Sequence, residues 1–289
     1  MPCRQSKVLK LKKIIQLSDL HIVPEGERVF GFDPLPRMQA VLKDIREKHS
    51  DADLCIITGD LTDKGDRTSY ELLRNRLEGF PVQLCLMMGN HDRRQPFLDV
   101  FPATQVDSSG FIQYALDLGG HRVVVLDSLD EECPGSGFLC PQRLVWLDAT
   151  LGEAPETPTI VALHHPPFDI GIEYFEYMLL TNGDELNDVL NRHPQVVHLT
   201  FGHVHLSVSG IKCGRSFTAA RGTAHPIQFR QTQLEAYYID RLPSYEVILF
   251  EENTVTVHHV QVCAGEQYVA REVAETDGSQ GETEIYREV

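Results

Sequence analysis

The chain has 289 residues, 42% of them hydrophobic, enough for one large domain or for a domain with an appendage. Its 26 Lys and Arg against 42 Asp and Glu leave a formal charge of −16, which repels polyanions and argues against nucleic acid as a partner. No apolar run approaches the roughly 20 residues that a membrane-spanning helix needs, so a soluble protein with no membrane partner is expected.

In chain order, the basic start MPCRQSKVLKLKK is followed by only a short apolar stretch before Ser18-Asp19, with no small-residue cleavage site, and an unprocessed N-terminus is expected. Short β-branched apolar runs then recur at KIIQLS, LCIIT, VQLCLMM, HRVVVLD, TIVALH and VVHLTF, each too short for an independent helix and read as a strand. Helical patterns separate several of them. Met38, Val41, Leu42 and Ile45 share one helical face, Leu144, Leu147 and Leu151 another behind Pro141, and Leu186, Val189 and Leu190 a third. This alternation predicts an α/β protein. FIQYALDL and HRVVVLD are joined only by Gly119-Gly120, a hairpin turn, so the sheet is expected to be mixed.

Beyond about residue 232 the pattern changes. YEVILFEENTVTVHHVQV reads as a further hairpin, and residues 264–289, rich in acidic side chains, as a tail with little structure of its own or an arm for a neighbouring subunit. The expected division is a catalytic unit at 1–232 and a hairpin-and-tail extension at 233–289, the latter an oligomerisation or cap element. The seven cysteines, Cys3, Cys55, Cys85, Cys133, Cys140, Cys213 and Cys263, form no CxxC pair and read as buried reduced thiols of a cytoplasmic protein.

The chemistry gathers at strand ends. The first strand runs into Asp19 and His21, the second into Asp60, the third into Asn90, His91 and Asp92, a later one into His164 and His165, and the last into His203 and His205. In α/β sheets the ligand site lies beyond the carboxyl ends of the strands, so these residues can share one crevice. In Asp19-x-His21 and His203-x-His205 a spacing of two puts both side chains on one face of an extended chain. Asp and Asn oxygens with His nitrogens, and no thiolate, suit borderline or hard divalent ions such as Mn²⁺, Fe²⁺ or Zn²⁺. Seven ligands exceed one ion, and two ions about 3.5–4 Å apart, bridged by a carboxylate, account for them. A lone DxH or GD is more often a turn or a cap; it is the joint occurrence of five blocks that carries weight.

The blocks D-x-H, GD, GNHD, H and GHxH, in this order over residues 19–205, resemble the calcineurin-like metallophosphoesterase superfamily. Within it GERVFGFDP, TGDLTDKG, MGNHDRR, ALHHPPF and GHVH look like the branch of class III cyclic-nucleotide phosphodiesterases and bacterial glycerophosphodiesterases. The resemblance implies an αββα sandwich of two mixed sheets flanked by helices. It implies one ion on Asp19, His21, Asp60 and His205 and a second on Asp60, Asn90, His164 and His203, with Asp60 bridging. It further implies attack on phosphorus by a metal-bridging hydroxide, with His91 protonating the leaving oxygen and Asp92 as its orienting partner. The substrate implied is a small phosphodiester, a 3′,5′-cyclic nucleotide such as cAMP, with glycerophosphodiesters as the alternative. A phosphoprotein phosphatase and a catalytically silent scaffold stand as other readings, and resemblance to oligomeric relatives implies a homo-oligomer, a dimer or larger. His165 is read as supporting a neighbouring ligand or packing; His225 and the aromatic loop 23–34, with Phe30 and Phe32, are candidates to line the cleft.

Overall fold

The computed structural model describes residues 10–133, 135–263, 270–274 and 280–285, the last two stretches as backbone. Two mixed sheets form. The first has the order β11-β10-β1-β2-β3, with β1 (Lys12–Leu17), β2 (Leu54–Ile57) and β3 (Leu84–Leu86) parallel and β10 (Ser244–Glu251) antiparallel to β1 and to β11 (Thr254–Gln261). The second has the order β4-β5-β6-β7-β9-β8. Its β5 (Arg122–Val125), β6 (Thr159–Ala162), β7 (Val196–Phe201) and β9 (Arg215–Ala219) run parallel, and β4 (Tyr114–Asp117) and β8 (Val208–Lys212) close its edges antiparallel. The Gly119-Gly120 hairpin forms as expected, whereas the β8–β9 pair, turning at Cys213-Gly214, has no apolar run long enough to announce it.

Strand alternation sets the layers. In β5 and β6, Val123, Val125, Ile160 and Ala162 face the core shared with the first sheet, and Val124 and Val161 face the opposite way. The shared core also takes the buried faces of α1 (Pro34–Lys48), α2 (Arg67–Leu77) and α3 (Arg94–Val100), while α4 (Pro141–Gly152) and α5 (Gly183–Asn191) cover the second sheet. The result is helices, sheet, sheet, helices, the αββα sandwich that the resemblance implies. Each buried Leu, Ile or Val in it contributes about 1.5–3 kcal/mol. Two helices start on side-chain caps: Asp33 accepts from Leu35 N before Pro34, and Asp66 accepts from Ser69 N.

The hairpin expected beyond residue 232 lies inside the first sheet. β10 pairs with β1 from Lys12 to Gln16 and buries Val247, Ile248 and Phe250, so a chain cut at 232 would lose core strands. The tail, expected to hold little structure, carries a second hairpin of β12 (Ala270–Ala274) and β13 (Gln280–Ile285), separate from both sheets. Residues 1–9, on which the expected unprocessed start falls, lie outside the described residues. Cys55 and Cys85 are buried as expected, and burial pushes the Cys85 thiol up to about 12; Cys133, Cys213 and Cys263 are exposed, because they sit in turns and beyond strand ends. Among the described residues no helix is long and apolar enough to cross a membrane.

Candidate metal centre

The carboxyl ends of β1, β2, β6 and β7, and the turn after β3, point to one place. Asp19, His21, Asp60, His164, His203 and His205 are all buried there. The backbone reaches it by an unexpected route. Asp19, His21, Asp60, His203 and His205 all have positive φ, between 42° and 71°, so the DxH and HxH pairs do not converge by extended-strand alternation. Each of these five sits in the left-handed region, costing on the order of 1 kcal/mol or more, held by bonds such as Asp19 N to Gly59 O (3.1 Å) and His21 N to Asp60 O (2.9 Å). The glycines act mainly by what they lack. A Cβ on Gly89 would collide with Asp60 Oδ1, and one on Gly202 with Ser18 Oγ.

Hydrogen bonds fix which nitrogen of each imidazole is free. His205 Nδ1 donates to His225 O (2.8 Å), His164 Nδ1 to Thr58 O (2.7 Å) and His21 Nδ1 to Asp63 Oδ1 (3.2 Å), leaving Nε2 of each as a lone pair aimed inward. His21 Nε2 and His205 Nε2 then face each other at 3.3 Å, with Asp60 Oδ2 3.4 Å from the former and Asp19 Oδ1 3.5 Å from the latter. On the other side His164 Nε2 lies 3.1 Å from Asn90 Oδ1 and 3.5 Å from the same Asp60 Oδ2, and His203 Nδ1 lies 3.0 Å from Asn90 Oδ1. Lone pairs packed this closely repel unless a cation stands among them. The donor set of oxygens and imidazole nitrogens suits a divalent ion, and Asp60 Oδ2 stands between two such groups.

The electrostatics agree. Burial works against the Asp60 carboxylate, yet His164, His91 and His21 hold it well below the usual carboxylate range. Burial also works against a charged His164, but Asp60 outweighs it and holds that imidazole up at about 9, a demand for positive charge that a proton or a cation can meet. Burial pushes His21 down and His203 down to about 3, keeping both neutral.

His91 is different in kind. Its side chain is 38% exposed, facing the pocket. The Asp92 orientation expected from the sequence is not made: both Asp92 oxygens are spent on Tyr70 Oη (2.8 Å) and the backbone N–H groups of Leu61, Thr62 and Gly89, tying the turn after β2 to that after β3. The partner is Asp63. Its carbonyl oxygen accepts from His91 Nδ1 at 2.8 Å, and its carboxylate lies 3.8 Å away. Asp63 stands three residues after Asp60 in TGDLTDKG, and that spacing was its only signal. Burial opposes a charged His91, but Asp60 and Asp63 prevail and raise its pKa. His165 lies behind the ligands, its Nδ1 on Ser128 Oγ (2.8 Å) and its ring edge-on to His164.

Above this floor a pocket of about 200 Å³ opens, walled by aromatic side chains. Phe30, from the loop before α1, stacks on Tyr238 with centroids 3.9 Å apart and planes 11° apart, and His225 closes the corner, 4.4 Å from the His205 ring. Tyr174, hydrogen-bonded to Tyr238, and Phe175 also line the pocket. Phe32, the other aromatic of that loop, instead lies under the Arg37 guanidinium.

A family model described as Calcineurin-like phosphoesterase matches residues 12–207, the span that holds every candidate ligand above. The chain belongs to this family. Among individual relatives, a probable cyclic nucleotide phosphodiesterase of Rhodopseudomonas palustris is 39% identical over 219 residues, 75% of this chain and 80% of that one. A probable glycerophosphodiester phosphodiesterase of Arcobacter nitrofigilis is 30% identical over 195 residues, 66% and 71% of the two chains. Among solved structures, a dimetal phosphatase from Danio rerio superposes with a TM-score of 0.63 at 14% identity, covering 87% of this chain and 99% of that chain.

Proposed function

We propose that this calcineurin-like protein is a metal-dependent phosphodiesterase acting on small phosphodiesters, with 3′,5′-cyclic nucleotides, cAMP foremost, as substrates. The observation that carries the two-ion reading is Asp60 Oδ2, 3.4 Å from His21 Nε2 and 3.5 Å from His164 Nε2. Asp19, His21, Asp60 and His205 would hold one ion; Asp60, Asn90, His164 and His203 the other. Divalent ions such as Mn²⁺, Fe²⁺ or Zn²⁺, when bound, lower the pKa of water and offset charge building on phosphorus. Asp60 and Asp19 supply the anionic charge that retains such ions. His91 meets the remaining need of a diester, a proton for the departing alkoxide: with Nδ1–H tied to Asp63 O, the transferable proton is on Nε2. The Phe30–Tyr238 stack offers a flat apolar surface to a nucleobase.

A second reading, a glycerophosphodiester substrate, is favoured by one observation. The exposed face of the Phe30–Tyr238 stack could equally carry a quaternary ammonium head by cation–π contact. The test strips the protein of metal, reloads it with Mn²⁺ and compares cAMP with glycerophosphocholine at equal concentration, with His91→Ala alongside. Preference for cAMP, and a fall of about 10²–10⁴-fold in His91→Ala, is expected. Preference for the choline ester selects the second reading, and no turnover of either leaves a scaffold. The expected homo-oligomer is checked by size in solution with and without residues 264–289, a truncation that spares the core strands.

A further inference from the structure

One buried polar group has no part in the centre as described. Gln16 lies in β1, fully buried between the two sheets, at a position where an aliphatic side chain would fill the same space. Its amide is instead bonded on both sides of the sandwich. Nε2 donates to Thr58 Oγ1 (3.2 Å), beside the end of β2, and to Phe201 O (3.0 Å), the last residue of β7; Oε1 accepts from Thr200 Oγ1 at 2.6 Å. The ladder continues inward through Thr218 Oγ1, His198 and Ser216 Oγ.

Each residue it holds stands just before a ligand. Gln16 is three residues ahead of Asp19, Thr58 two ahead of Asp60, and Phe201 two ahead of His203, while Thr58 O accepts the Nδ1–H that orients His164. A satisfied buried amide contributes little net stability over an apolar side chain, yet its hydrogen bonds are directional and short, which packing contacts are not. What it adds is distance. We infer that Gln16 is a positioning residue for the metal centre, its amide setting the separation between the ligands carried by the first sheet and those carried by the second.

This inference rests on the two-ion reading. It is tested by titrating Mn²⁺ into the metal-stripped full chain by calorimetry and recording the electron paramagnetic resonance spectrum, in which exchange coupling reports the spacing of two Mn²⁺ ions. Native protein is expected to bind two ions and show coupling. Gln16→Leu leaves the Thr200 hydroxyl only its 3.5 Å contact with Thr218 Oγ1, so Gln16→Leu combined with Thr200→Val is the decisive variant: both ends of the shortest bond leave together, while Thr58 Oγ1 still donates to Leu17 O and Phe201 O still accepts from Ala220 N. It is expected to melt close to the native stripped protein, yet to bind the second ion about 10–100-fold more weakly, with altered coupling. Native affinities and native coupling in that variant would overturn the inference while leaving the two-ion reading intact; fewer than two ions on the native protein would sink that reading and the inference with it. If the double variant does not fold, Thr200→Val alone takes its place, and native affinity and coupling there overturn the inference.

Discussion

The floor and the wall of the pocket are built in opposite ways. In the floor six of the seven candidate ligands are buried, five take a left-handed backbone torsion, and His21, His164 and His205 are each oriented by a hydrogen bond to a carbonyl or carboxylate, which leaves these side chains little freedom. In the wall the contacts are ring against ring between loops, and Phe30 is still 59% exposed. A reaction shared by many substrates needs the first kind of construction, because displaced ligands lose the ions. Choice among leaving groups tolerates the second kind, since apolar loops can be exchanged without touching the strand ends.

The contrast can be broken at its strongest point first. Asp60→Asn removes the charge between the two ligand groups; kcat/KM on a diester should fall by at least about 10³-fold, with loss of bound metal measurable by elemental analysis, and near-native activity would mean that the floor is not held by this carboxylate. Next is Asp63→Asn. The Asp63 carboxylate accepts from His21 Nδ1 and lies 3.8 Å from His91 Nδ1, while the bond that orients His91 goes to the main-chain oxygen and survives the substitution, so about 10–100-fold loss is expected with weaker metal binding; loss of turnover with native metal binding would place the effect at His91 instead. In the wall, Tyr238→Ala should raise KM for cAMP about tenfold with kcat nearly unchanged, as expected for one stacked base. An equal fall in kcat would show that wall and floor are not separable. The last effect lies outside both and is read on stability, not on activity. Burial holds His198 down at about 4, so the unfolded chain takes up its proton first as the pH drops. Stability is therefore complete above about 6.5 and declines toward pH 4, by on the order of 3 kcal/mol. His198→Asn should flatten that slope in chemical denaturation at a series of pH values.

The strand ends were legible because a candidate ligand must be of a particular residue type: Asp19, His21, Asp60, Asn90, His164, His203 and His205 stand together where the motif places them. The same sequence misdirects where type and geometry part company. Asp92 follows His91 directly, yet its carboxylate faces Tyr70 and the backbone, because the turn after β3 needs a pin more than His91 needs a second partner. Tyr238 gave no sign at all. It lies in a loop without periodicity, and its pairing with Phe30, 208 positions earlier, depends on a fold that brings both loops over β1 and β7. β10 was seen as a hairpin strand but not as the neighbour of β1, since no local pattern distinguishes an added edge from an appended unit.

The left-handed torsions at the strand ends also constrain what protein engineering could do with this centre. Apart from glycine, the side chains that accept such torsions most readily are Asn, Asp and His, which are also the side chains that bind hard and borderline cations. Backbone shape and coordination chemistry thus admit the same short alphabet. A redesign for a softer metal through Cys at position 19 or 205 would meet a conformational penalty before any question of affinity arose, and retuning selectivity is better begun at Asp63, Ser128 or Gln16, behind the ligands.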